Sequence, residues 1–183
     1  MIRIGIIGLG WWGKQIVSCL AESPRFKVVA GCDIDGAMAA PFAAARNFEL
    51  TDDYKALLKR PDVDAIAVVT PHLLHEEMAI AAFAAGTQVF CEKPLALTAA
   101  SAERILGACA KAGGVLGIGH ERRYETAMEE MRPIGFPPSN CWQISAFSTR
   151  SRNRRPPAAS QLRLRRKSFY RSRNCFLIAL HSA

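Results

Sequence analysis

The sequence predicts an α/β fold in which helices cover both faces of a doubly wound parallel sheet, and three observations support that class. Apolar runs of strand length alternate with helical patterns about six times between residues 1 and 131. The run at residues 65–70 is continuous, which is typical of a parallel strand buried on both faces. A glycine-rich turn directly follows the first run. Ligands of such sheets bind at the carboxyl ends of the strands.

Each predicted element has its own local signal. Short apolar runs predict strands at residues 2–7, 26–32, 48–50, 65–70, 88–91 and 115–119. Helical periodicity or propensity predicts helices after the glycine turn and at residues 37–47, 52–58, 73–85, 98–112 and 124–131. Thr98 is a plausible N-cap of its helix, and Gly86 and Gly113 end the helices that precede them.

The glycine-rich turn at residues 8–13 has the GxGxxG spacing, and an acid ends the second predicted strand. In dinucleotide binding, Gly8 permits the tight turn, Gly10 lets the backbone approach the pyrophosphate, and Gly13 lets the helix pack closely on the strand. The helix N-terminus offers free N–H groups to the phosphates. Asp33 can accept hydrogen bonds from both ribose hydroxyls and would repel a 2′-phosphate, so the pattern favours NAD over NADP. In the alternative interpretation, the glycines form only a strand-to-helix turn and Asp33 only caps a strand end.

Two tryptophans, Trp11 and Trp12, are unusual in a phosphate-binding turn. We expect one of them to cover the cofactor. We expect the other to pack against the edge of the sheet or against a second domain.

Three strand ends converge on the predicted nicotinamide end of the cleft. Residues 70–71 follow the fourth strand, residues 92–94 the fifth, and residues 120–123 the sixth. Lys93 is the candidate catalytic residue, because a lysine there can hydrogen-bond a substrate hydroxyl and help to move its proton as hydride leaves the carbon. Glu92 would position Lys93 or tune it electrostatically. The alternative interpretation is a surface lysine that pairs with the neighbouring glutamate in a turn.

The histidines give further candidates. His75 lies one turn into the helix after residues 70–71, where it either approaches the cofactor or lies on the helix surface. His72 is expected in a solvent-facing loop. His120 lies at a strand end, where it and Arg123 are candidate substrate contacts. The six cysteines show no CxxC pairing and no clustered histidines, so we predict neither a metal site nor a disulfide framework.

The start of the chain and its hydropathy bear on localisation. A core strand begins at residue 2 with no basic leader before it, so we expect no signal peptide. No apolar stretch reaches the roughly 18 residues that a membrane span requires. We therefore expect a cytoplasmic protein that has no membrane partner and whose cysteines are reduced.

The net charge of +8 hides two segments of different composition. All 16 acidic residues lie in residues 1–131 with 13 of the 24 basic ones, so this segment has a charge of −3. Residues 132–183 hold the other 11 basic residues and no acid. We predict a globular domain at residues 1–131, followed by a poorly ordered basic tail at residues 132–183. Nucleic-acid binding by this tail is the competing interpretation, and we do not favour it because the proline-rich basic runs predict no ordered fold.

Residues 1–131 resemble the glucose–fructose oxidoreductase and inositol dehydrogenase family (Gfo/Idh/MocA). The resemblance rests on residues 8–14, Asp33, residues 70–75, residues 85–89 and the Glu-Lys-Pro sequence at residues 92–94. It implies a Rossmann fold and an NAD(P)-dependent oxidoreductase that acts on a sugar, a polyol or a related hydroxy compound. It also implies that Lys93 works beside the nicotinamide and that the Lys93–Pro94 bond is cis. The predicted cofactor-binding residues are Gly8, Gly10, Trp11, Trp12, Gly13, Asp33, Thr70, Pro71, His75, Glu92, Lys93 and Pro94.

The residues after 131 depart from the family pattern. The resemblance implies a second α/β domain that forms much of the substrate wall and the oligomer interface, and that supplies an Asp and a His acting with the lysine. Here no acid follows Glu130, and the only later histidine is His181. We therefore expect a truncated oxidoreductase whose tail comes from out-of-frame reading of a GC-rich gene, with no oligomer in the absence of the second domain. Two alternatives stay open, namely an NAD-binding fragment without turnover and nucleic-acid binding through the tail.

Overall fold

The computed structural model describes residues 1–120, which form one parallel sheet with helices on both faces. The strands are β1 (Ile2–Ile7), β2 (Phe26–Cys32), β3 (Glu49–Thr51), β4 (Ala65–Val68), β5 (Gln88–Glu92) and β6 (Leu116–Gly119). Their order in the sheet is β3-β2-β1-β4-β5-β6. The chain proceeds outward from β1 to β3 and then crosses back to β4, so the topological switch point lies between β1 and β4. The predicted fold class is confirmed.

The helices lie where the sequence signals place them. They are α1 (Trp11–Ala21), α2 (Gly36–Ala45), α3 (Tyr54–Leu58), α4 (His75–Ala84) and α5 (Ala99–Ala112). The Thr98 hydroxyl accepts a hydrogen bond from the Ser101 N–H, so this residue is the N-cap of α5. Gly113 takes the left-handed conformation that ends the same helix.

Several predicted elements differ from the structure by one or two residues at an end, such as α3, which begins at Tyr54 and not at residue 52. The prediction of one helix from residue 73 is wrong at its start, because His72–Leu74 form a separate 3-10 turn and α4 begins at His75. The Leu74 N–H donates to the carbonyl of Pro71 at 2.9 Å, which closes the tighter turn. The predicted helix at residues 124–131 and the predicted tail lie outside the described residues.

The core consists of two apolar clusters, one on each face of the sheet. On one face, α3, α4 and α5 cover a cluster that includes Ile66, Val68 and Phe83. On the other face, α1 and α2 cover a cluster that includes Val17, Ala43 and Ala67. Successive residues of β4 therefore contribute to opposite faces, as a strand covered on both sides requires. Among residues 1–120, no helix is long and apolar enough to cross a membrane.

Candidate functional site

The three glycines of the turn after β1 face different surroundings. Gly8 has a φ of +99°, and a Cβ atom there would lie 2.5 Å from the Val69 carbonyl oxygen. A Cβ atom on Gly13 would overlap the carbonyl oxygen of Gly8. A Cβ atom on Gly10 would have no atom within 4 Å. The protein's own packing therefore requires Gly8 and Gly13, whereas the side of Gly10 is open to a ligand.

The N-terminus of α1 begins beside this open side. Gly10 is the N-cap residue, and no side chain caps the helix. The first turn also contains no acidic residue. The amides of that turn lack intrahelical acceptors, so they are available to an anion.

Asp33 follows β2 and binds the glycine turn directly. Its Oδ2 atom accepts a hydrogen bond from the Leu9 N–H at 2.5 Å, and its Oδ1 atom accepts one from the Asp35 N–H at 2.9 Å. The carboxylate therefore does more than cap a strand end, because it fixes the turn 24 residues upstream. Each oxygen keeps lone-pair capacity for a further donor such as a ribose hydroxyl.

The two tryptophans stack on each other at the start of α1. Their ring centroids lie 5.4 Å apart with 26° between the planes. Trp11 is 73% exposed, whereas Trp12 is half-buried. The Trp12 indole Nε1 is enclosed and has no hydrogen-bond acceptor among the described residues. Which ring covers a cofactor stays a prediction.

These observations test whether the residues fit a dinucleotide. The open side of Gly10, the uncapped N-terminus of α1 and the Asp33 carboxylate all lie at the carboxyl edge of β1 and β2. They offer, in turn, space for backbone approach, donors for a pyrophosphate and an acceptor for ribose hydroxyls. The residues fit the group.

The segment after β5 carries the candidate catalytic residue. The Lys93–Pro94 peptide bond is cis, as the resemblance implies. Lys93 is exposed, and its backbone N–H donates to Glu92 Oε2 at 3.2 Å. Glu92 is only 7% exposed. Lys93 is a surface lysine in contact with the neighbouring glutamate, as the alternative interpretation expects, but Glu92 itself is buried, so the role of Lys93 stays a prediction.

Gly119 explains where the Glu92 carboxylate lies. The two residues are register partners on β5 and β6, and a Cβ atom on Gly119 would overlap the carboxylate oxygens of Glu92. Sequence reasoning missed this role of Gly119, since a glycine that ends a strand gives no signal of its partner. Burial and the charge of Glu92 raise the pKa of the Cys91 thiol to about 12, so Cys91 stays protonated and is no candidate nucleophile.

We expect Gly119→Ala to displace the Glu92 carboxylate and destabilise the domain by about 1–3 kcal/mol, the usual cost of overpacking. Urea unfolding of the full chain measures this change. Gly107→Ala is the matched control, because it adds the same methyl group to α5 where no atom lies within 4 Å. Equal stability of the two variants would contradict the close contact.

The structure rules out one of the two sequence interpretations of His75. The expected helix-surface position is wrong, because His75 is 0% exposed. Its Nδ1 atom lies 2.9 Å from the Pro94 carbonyl oxygen, and its Nε2 atom lies 2.9 Å from the Thr70 carbonyl oxygen. The sequence did not reveal this because both acceptors are backbone atoms. Direct cofactor binding by His75 stays a prediction.

The remaining candidates occupy the neighbouring strand ends. The Thr70 hydroxyl donates to the Met78 sulfur at 3.5 Å, and Pro71 is exposed. His72 is exposed, as expected. His120 is half-buried directly after β6, and Arg123 lies outside the described residues. The substrate roles of His120 and Arg123 stay predictions.

Within residues 1–120, no three or more His, Cys, Asp or Glu side chains are grouped to hold a metal ion.

Comparison with known proteins places this geometry in a family. The model of the oxidoreductase family with an NAD-binding Rossmann fold (GFO_IDH_MocA) matches residues 2–120. The inositol 2-dehydrogenase of Klebsiella pneumoniae subsp. pneumoniae is 41% identical over 137 residues, which are 73% of this chain and 41% of that protein. The chain therefore belongs to this family of NAD-binding Rossmann domains.

Two solved structures are similar to the chain. The WlbA dehydrogenase from Bordetella pertussis, in complex with NADH and UDP-GlcNAcA, has a TM-score of 0.69 at 27% identity and matches 72% of this chain and 41% of its own. The KijD10 3-ketoreductase from Actinomadura kijaniata, in complex with TDP-benzene and NADP, has a TM-score of 0.69 at 28% identity and matches 73% of this chain and 43% of its own. The chain spans about two fifths of the length of the relatives that it matches.

Proposed function

We propose that the chain binds NAD as the cofactor domain of an oxidoreductase that acts on a hydroxyl-bearing carbon of a sugar or polyol. The observation that carries this proposal is the open side of Gly10 next to the Asp33 carboxylate. A 2′-phosphate would meet the negative charge of Asp33, which supports NAD as the preferred cofactor. The similarity to an inositol 2-dehydrogenase and to a dehydrogenase solved with UDP-GlcNAcA supports the substrate class.

In this proposal, different residues bind the cofactor and act on the substrate. Bound NAD supplies the hydride acceptor. Asp33 would hold the ribose hydroxyls, and the amides at the start of α1 would hold the pyrophosphate. Lys93 would hydrogen-bond the substrate hydroxyl and help to move its proton as hydride leaves the carbon, and Glu92 would fix the backbone of that lysine.

The second candidate function is NAD binding without turnover. It is supported by composition, since no acid and a single histidine, His181, follow Glu130. An Asp and His pair of the kind that the family resemblance implies is therefore absent from residues 132–183.

Titration of the full chain with NADH, followed by tryptophan fluorescence, tests the proposal. We expect saturable quenching by NADH, at least about tenfold weaker binding of NADPH, and NAD reduction with myo-inositol or with one of a panel of sugars. Binding with no turnover on any of them supports the second candidate. Absence of NADH binding contradicts both, and nucleic-acid binding that weakens steeply with salt would favour the basic tail as the functional part.

We also propose that residues from about 132 are read out of frame. The abrupt change from a segment of charge −3 to one without acids supports this. Sequencing the coding DNA across residues 130–136 tests it, and we expect another frame to open into an acid-containing stretch. The absence of such a frame would make the tail genuine.

A further inference from the structure

The ring of His75 connects two segments that belong to different strand ends. Thr70 lies after β4, and Pro94 lies after β5. The His75 ring lies between their carbonyl oxygens, with 2.9 Å to each. The ring is fully buried, so both of its nitrogens are closed to water.

Two carbonyl oxygens at opposite ends of one ring can be satisfied only by donors. An imidazolium donates at both nitrogens, and a neutral imidazole donates at one of them. An apolar side chain of the same size would leave both carbonyls without this partner, and a partly buried acceptor that loses its donor is destabilising. The requirement at position 75 is therefore for a donor and not merely for volume.

The local structure of the chain presents His75 to these acceptors. The 3-10 turn at His72–Leu74 follows Pro71, and His75 is the first residue of α4. The width of one imidazole ring therefore sets the separation of the two segments. One of these segments contains Lys93, whose peptide bond to Pro94 directly precedes the bridged carbonyl.

We propose that His75 is a positioning residue that holds the Lys93–Pro94 turn at a fixed distance from the end of β4. We call the two contacts of the His75 ring with the Thr70 and Pro94 carbonyls the bridge, and this bridge rests on geometry alone. Its consequence, that Lys93 keeps its alignment with the bound nicotinamide, rests on the proposed function. His75 acts through backbone carbonyls and contacts no reacting atom.

The test compares His75→Phe with His75→Gln in the full chain. Phe keeps an apolar ring but is larger than His and has no donor, whereas Gln is close to His in volume and keeps an N–H donor. His75→Leu, which is close to His in volume and has no donor, separates loss of the donor from overpacking. A packing role predicts that Leu is tolerated at least as well as Gln, and the bridge predicts that Gln is tolerated better than both apolar variants. The matched control is His72→Phe, because His72 is exposed and its ring lies 5.6 Å from that of His75.

Amide hydrogen exchange in peptides that cover residues 92–98 reads out the bridge without any cofactor. We expect exchange about tenfold faster in His75→Phe than in the parent chain, with a smaller increase in His75→Gln and none in His72→Phe. Exchange in His75→Phe that is no faster than in His75→Gln would overturn the bridge. If His75→Phe does not fold, the comparison of His75→Gln with His75→Leu serves instead, because Gln keeps a donor and Leu is apolar.

Measurements of NADH affinity and of turnover test whether the bridge keeps Lys93 aligned with the bound nicotinamide. We expect His75→Phe to lower turnover more than it weakens NADH binding, since the bridge positions the lysine segment. Faster exchange with unchanged turnover would overturn the positioning role. A parent chain that binds no NADH overturns the proposed function, whereas the exchange comparison still decides the bridge.

Discussion

If the chain has the proposed activity, substitution of Lys93 by Met is expected to lower the rate of NAD reduction by about 10²- to 10⁴-fold, which is the usual contribution of a positioned proton-transfer group. The affinity for NADH is expected to fall by much less than turnover, because the proton moves only during hydride transfer and not during cofactor binding. The two measurements are steady-state turnover with a sugar or polyol, and the fluorescence titration with NADH.

The geometry of the β5 end supports so large an effect. The backbone N–H of Lys93, which donates to the Glu92 carboxylate, fixes the backbone of that lysine. Glu92 is fixed in turn, because its carboxylate lies against Gly119 on the neighbouring strand. Because this backbone is fixed, the Lys93 side chain extends from a defined position. Proton transfer in the transition state requires such a defined position.

Two controls separate proton transfer from charge. Lys93→Arg keeps the positive charge but cannot give up its proton, so it is expected to be nearly as slow as Lys93→Met. Lys111→Met removes one exposed lysine in the last turn of α5 and is expected to be neutral. Turnover by Lys93→Arg close to that of the parent chain would contradict a proton-transfer role and leave only an electrostatic one.

The features that were predictable from sequence are those set by neighbouring residues. The bounds of β1 and β2 agree with the apolar runs that predict them, and the Thr98 cap with Gly113 delimits α5. A strand or a cap depends on a few consecutive side chains, so a single segment carries the information. The cis bond at Lys93–Pro94 was different, because it came from the family resemblance and not from the local pattern.

The features that were not predictable depend on residues distant in sequence. The His75 ring reaches a carbonyl 19 residues later, and the Asp33 carboxylate reaches an amide 24 residues earlier. Gly119 makes room for Glu92 through strand pairing, which only the order of β5 and β6 defines. A backbone carbonyl or amide can belong to any residue type, and a glycine has no side chain that would indicate its neighbour. The sequence therefore indicates the candidate positions but not the groups that they contact.

Gly10→Ala is expected to weaken NADH binding by about 10- to 100-fold while leaving the stability of the domain within about 0.5 kcal/mol. Gly10 has a φ of −62° and a ψ of −171°, an extended conformation that alanine also adopts. A Cβ atom there meets no protein atom within 4 Å, so the free protein has no reason to change. Any loss of affinity would then come from the methyl group standing where the pyrophosphate approaches the backbone.

Gly13→Ala provides the opposite case in the same turn. Its Cβ atom would overlap the carbonyl oxygen of Gly8, so this variant is expected to lose both stability and NADH binding. Gly107→Ala controls for the methyl group alone and is expected to retain full affinity. Urea unfolding and NADH titration on all three variants therefore separate a glycine required by the fold from a glycine required by the ligand. Unchanged affinity in Gly10→Ala would mean that no ligand backbone contact occurs at this turn, and the glycines would then serve only the strand-to-helix connection.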